Sequence, residues 1–75
     1  MEKISLNEVL AENILIRSQR LGLNLTGLIK KTGLSRNSLS YIRNGHAQKI
    51  AFLTLEKIAQ ALECEPYELL KPVDF

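Results

Sequence analysis

Apolar positions recur along this chain at helical rather than strand spacing, and polar punctuation divides them into five runs. Leu6, Leu10, Ile14 and Leu21 fall near one face of a first helix, which is expected to end at about Arg20 or Leu21 before Gly22 breaks it. At its start, Ser5-Leu6-Asn7-Glu8 has the spacing of a capping box. Asn24 can cap a second helix over about 25–32, with Leu25, Leu28 and Ile29 facing inward and Gly33 as its stop. Ser35 can cap a third over about 36–43, ended by Asn44-Gly45. A polar loop, His46 to Lys49, leads to a fourth helix beginning near Leu53 or Thr54, whose inward stripe is Leu55, Ile58, Ala59 and Leu62. A fifth, short helix opens on Pro66, holds Tyr67, Leu69 and Leu70, and stops before Pro72. With no strand alternation anywhere, the expected fold is all-α, a compact five-helix bundle.

Gly33-Leu34-Ser35 alone joins the second and third helices. So short a turn containing glycine forces a sharp angle between them, which is the helix-turn-helix arrangement, here with its core over 24–44. On the third helix, at about 100° per residue, Leu39 and Ile42 turn toward the core, while Arg36, Asn37, Ser40, Tyr41 and Asn44 turn away. Arg matches guanine O6 and N7 with parallel donors, Asn matches adenine N6 and N7, and Tyr can hydrogen-bond or lie against a thymine methyl. Arg36 and Asn37 stand at the helix start, the end that enters the major groove in helix-turn-helix proteins. The competing explanation is a merely soluble surface, but solubility is usually achieved with Lys and Glu, and the helix holds neither.

Around the base-reading candidates Arg36, Asn37, Ser40 and Tyr41 lie residues suited to phosphates: Asn24, Ser35, Asn44, His46, Gln48 and Lys49. Asn24 and Ser35 read equally as plain caps. Arg43 lies at the edge of the outward face, toward backbone or solvent.

Charge sharpens this picture. The net formal charge is only +2, yet residues 17–57 hold eight Lys/Arg against the single carboxylate of Glu56, with acidic segments on either side. A one-signed middle is a positive patch aimed at an anionic partner.

At 75 residues the chain is expected to be one domain, 1–75, ending in a short tail, 71–75. Chains this small bury only about 60% of their unfolded surface, which leaves little room for a deep catalytic cleft. The central region also has no acid for a base or metal ligand, so an enzyme is not expected, nor any cofactor. Cys64 excludes an internal disulfide, and one His with one Cys makes no zinc set. Cys64 is placed on the buried end of the fourth helix. No apolar run approaches about 18 residues and no signal-peptide core follows Met1-Glu2-Lys3, so a cytoplasmic protein is expected.

Together, GLNLTGLIKKTGLSRNSLSYIRNG and FLTLEKIAQALECEPYELL resemble the Cro/repressor-type helix-turn-helix family of phage and bacterial transcriptional regulators. The resemblance implies a lambda-repressor-like DNA-binding domain. In it, residues matching Arg36, Asn37 and Tyr41 commonly meet base edges, and those matching Asn24, Ser35, Asn44 and the following loop meet phosphates. Three positions depart from the pattern. Leu25 replaces a frequent Gln, Ile29 replaces a small Ala, and Ser18 and Arg43 occupy the places of an Arg–Glu pair.

The expected activity is a sequence-specific double-stranded-DNA-binding regulator, a repressor occupying an operator. Tight binding by so small a module calls for two copies on a palindrome, with reading helices about 34 Å apart. The expected dimer surface is Pro66, Tyr67, Leu70, Val73 and Phe75, with Phe75 alternatively folded onto the core. The alternative function is a protein-interaction module, such as an antitoxin or adaptor, built on the same fold.

Overall fold

Each run of apolar positions contributes at least one fully buried side chain to a shared centre. Ile14, Leu28, Leu39, Ile58 and Leu69 are essentially inaccessible to solvent and meet in one cluster. The computed structural model describes residues 5–73, and among them the order is α1 (Leu6–Arg20), α2 (Leu25–Thr32), α3 (Arg36–Arg43), α4 (Phe52–Ala61) and a 3₁₀ helix, Pro66–Leu70. α1 packs against α3 and the 3₁₀ helix, while α2 packs against α3 and α4. The described residues contain no strand.

The five-helix count is corrected: among the described residues four α-helices form, and the fifth, short helix expected from Pro66 is a single 3₁₀ stretch. Pro66 at its start and Pro72 just beyond leave too few residues for a ladder of i→i−4 bonds, and short runs of this kind close with i→i+3 bonds instead.

The capping box expected at Ser5 is also not formed. The Ser5 hydroxyl donates to the Glu8 carboxylate at 2.8 Å, and the Glu8 N–H is taken by the Ser5 carbonyl. The inward face of α1 differs in part. Leu10 and Ile14 are buried as expected, but Leu6 is 63% and Leu21 39% exposed, and Val9 and Asn13 are buried in their stead. Leu6 sits in the first turn and Leu21 just past the last, where fewer partners reach them.

Asn13 is completely buried and fully bonded. Its Nδ2 donates to the carbonyls of Val9, Leu69 and Lys71 at 2.9–3.1 Å, and its Oδ1 accepts from Arg17 Nε. One amide thus ties α1 to the chain entering and leaving the end of the 3₁₀ helix. Arg17 continues the tie to Glu68 through an ion pair at 3.7 Å.

The residue in the place of the family's helix-one Arg, Ser18, is buried. Its hydroxyl donates back to the Ile14 and Leu15 carbonyls, so no charge is stranded there. Arg43, in the place of its partner, is half-buried at the end of α3.

Candidate nucleic-acid interface

The angle between α2 and α3 is fixed by three local devices. Gly33 adopts φ 74°, ψ 9°, the left-handed conformation in which glycine carries no Cβ penalty, and its N–H closes onto the Ile29 carbonyl. Thr32, buried, donates its hydroxyl to the Leu28 carbonyl and accepts the Leu34 N–H at 3.2 Å. Ser35 then caps α3 by accepting the Ser38 N–H at 3.1 Å, while its own hydroxyl lies 3.0 Å from Ser38 Oγ. The turn therefore pairs the Gly33 and Leu34 N–H groups, and it packs α3 against α2.

On α3, Leu39 and Ile42 are buried. Arg36, Asn37 and Tyr41 are exposed, and Ser40 is half-buried beside them. Asn44 is exposed, with its Nδ2 3.4 Å from Ser40 Oγ. The outward residues thus share one face, with Arg36 and Asn37 at the N-terminal end. The partial positive charge of the helix dipole and unsatisfied N–H groups gather at such an end.

The surrounding candidates are placed less uniformly. Asn24 caps α2 through its Oδ1, which accepts the Gly27 N–H at 2.8 Å, leaving its amide nitrogen exposed. Ser35 is engaged as a cap on both its donor and acceptor sides, as above. His46 is exposed, its ring 5.8 Å from the Tyr41 ring at a tilt of 40°. Lys49 lines a small cleft with Ser38 and Tyr41. Gln48 is exposed and, together with Lys49, lines a groove of about 430 Å³ with Leu6, Leu10, Ile50 and Leu70.

Of the residues expected to pair two copies, Tyr67 is 65% exposed, and Pro66, Leu70 and Val73 are half-buried. Leu70 packs against the core, and Phe75 lies outside the described residues.

Three contributors to the site escaped the sequence reading. Asn7 donates its amide to the Gly45 carbonyl and pins the loop that follows α3 to α1. Ala47, in the middle of a loop read as polar, is buried and anchors that loop in the core. Thr26, exposed on α2, lies beside Arg36. None carries a local signal, because each acts on a residue distant in sequence. Exposed apolar side chains, Phe52 and Leu53, also open α4.

The basic middle is not uniformly directed at this face. Arg17 pairs with Glu68, and Arg20 lines the same cleft as Glu68 and Lys71. Cys64, half-buried just past α4, packs against the core. Its thiol is pushed above its ordinary value by burial, with Arg17 pulling the other way and Glu68 and Glu65 adding to the rise. A thiol so placed holds less thiolate than a free cysteine and is a poorer nucleophile. Among the described residues no helix is long and apolar enough to cross a membrane.

A family model for the Cro/C1-type HTH DNA-binding domain matches residues 5–74. An uncharacterized HTH-type transcriptional regulator of Bacillus subtilis strain 168, YozG, is 36% identical over 59 residues, spanning 79% of this chain and 70% of its own length. The crystal structure of NHTF, a hypothetical transcription factor from Neisseria, superposes with a TM-score of 0.83 at 32% identity, covering 91% of this chain and 77% of that one. With its two-helix unit, outward polar face and matched length agreeing, the chain belongs to the Cro/C1-type HTH DNA-binding domain family, whose members bind DNA as regulators of transcription.

Proposed function

We propose that this protein is a sequence-specific regulator that represses transcription by seating α3 in the major groove of a palindromic operator as a homodimer. Arg36, Asn37, Ser40 and Tyr41 read base edges, and Asn24, Ser35, Asn44, His46, Gln48 and Lys49 hold the flanking phosphates. The dimer closes through Pro66, Tyr67, Leu70, Val73 and Phe75. The observation that carries the reading is the division of α3 itself: its apolar residues are buried while Arg36, Asn37 and Tyr41 stand exposed on a braced helix. Fork-shaped hydrogen-bonding groups at the start of such a helix suit base edges better than they suit a generic surface.

A second reading, a module that binds another protein, is favoured by the apolar groove of Leu6, Leu10, Ile50 and Leu70 and by the exposed Phe52 and Leu53. Affinity for random duplex measured at two salt concentrations separates the two. A phosphate-gripping regulator loses more than about tenfold between roughly 50 and 200 mM salt, because bound counterions are released on association. Absent or salt-insensitive binding contradicts the regulator and leaves the protein-binding module.

A further inference from the structure

Arg36 does not project alone. From the first position of α3 its side chain reaches across the turn to α2, where Nη2 lies 3.5 Å from the Thr26 hydroxyl oxygen. Both residues are exposed, so the contact lies on the face that carries the candidate base readers. Among the described residues Thr26 Oγ1 makes no other hydrogen bond, and it is therefore free to accept this one.

A guanidinium carries its five N–H donors in one plane, and adjacent nitrogens form two-pronged forks that match paired acceptors. Nη2 belongs to two such forks, one shared with Nε and one with Nη1. When one Nη2 hydrogen points at Thr26, the fork containing that hydrogen is occupied and the other remains open. The hydroxyl thereby selects which fork is presented and orients the plane in which it lies. An unrestrained Arg would offer either fork, over many rotamers, to guanine and to phosphate alike.

We propose that Thr26 is a positioning residue for sequence recognition: by holding one edge of Arg36 it aims the remaining fork at a guanine and sharpens discrimination at that base pair. This rests on the reading of Arg36 as a base contact. At 3.5 Å the contact is longer than the roughly 2.7–3.2 Å of an ordinary N–H···O bond, so the expected effect is modest, about 2- to 5-fold in discrimination.

The test compares the full chain with Thr26→Val, Thr26→Ser, Arg36→Ala and the Thr26→Val/Arg36→Ala pair. Each is titrated against duplexes carrying every single-base change of a site enriched from random DNA. Arg36→Ala should flatten the preference at one base pair of each half-site. Thr26→Val should weaken the preference at that same base pair by about 2- to 5-fold. Thr26→Ser, which keeps the hydroxyl, should restore it, and the double variant should match Arg36→Ala alone. If Arg36→Ala flattens no position, base reading by Arg36 fails and the positioning role fails with it. If Arg36→Ala flattens one position while Thr26→Val keeps full preference there, only the positioning role is overturned. Equal weakening of every duplex by Thr26→Val also overturns it, because the hydroxyl would then be a backbone contact.

Discussion

Asn13 shows how one polar side chain can hold a small core together. Its amide is inaccessible to solvent, yet every polar atom in it is paired, to carbonyls on two segments and to Arg17. Truncation would leave the Leu69 and Lys71 carbonyls and the Arg17 guanidinium short of a partner and would open a small void. Buried groups left unsatisfied cost about 1–3 kcal/mol. Asn13→Ala is therefore expected to lower unfolding stability by about 2–4 kcal/mol, read from denaturant melts. A loss below about 0.5 kcal/mol, the usual surface effect, would contradict this role. From sequence the residue was invisible in that role: an Asn among Val9, Leu10 and Ile14 reads as an interruption of the apolar face. Two of its three acceptors, the Leu69 and Lys71 carbonyls, lie more than fifty residues away. Arg36, by contrast, was legible as an outward residue, because helical geometry alone sets its direction relative to Leu39 and Ile42.

At the scale of elements, the two-helix unit depends on a turn that only a few conformations allow. Gly33 sits at positive φ with nothing within 4 Å of where a Cβ would stand, so a substitution there meets backbone strain without a clash. Gly33→Ala is expected to cost about 1 kcal/mol, and Gly33→Asn less, since Asn visits that region more readily. Thermal melts of the pair check this, and equal stability of the Ala variant would mean the turn can relax. The bounds of α2 and α3 were legible because caps and stops have local chemistry: Asn24 and Ser35 bond the N–H groups three residues on, and Gly33 supplies the left-handed stop. The last element was not legible as 3₁₀. Its start is organised by Glu65, whose N–H donates to the Glu68 carboxylate at 3.0 Å, and a Glu-x-x-Glu pattern lacks the Ser/Thr that marks a capping box in sequence. Ser5-x-x-Glu8 has that pattern, yet there the hydroxyl donates to the carboxylate itself. Sequence spacing shows which groups can meet; competing donors decide which of them do.

At the scale of the molecule the radius of gyration, 11.4 Å, is that of an ordinary folded chain of this size, about 11 Å. Five elements enclose one cluster of apolar side chains, and the polar face of α3 is left outside it. The all-α architecture and the outward polar face of α3 followed from periodicity, but the distribution of charge did not follow from the order of residues alone. Arg17 and Arg20 sit in the basic middle of the sequence, yet the fold turns them to a cleft shared with Glu68. Lys30, Lys31, Arg36 and Lys49 remain exposed.

Whether the outward residues of α3 read base edges is decided by selecting bound sequences from a random DNA pool with the native chain and with Arg36→Ala. The native chain is expected to enrich a palindrome with half-sites about 34 Å apart. Arg36→Ala is expected to lose about 1–3 kcal/mol of preference at one base pair in each half-site while the other positions keep theirs. A pool with no enriched motif, or the same motif undiminished at every position in Arg36→Ala, would contradict base reading by α3.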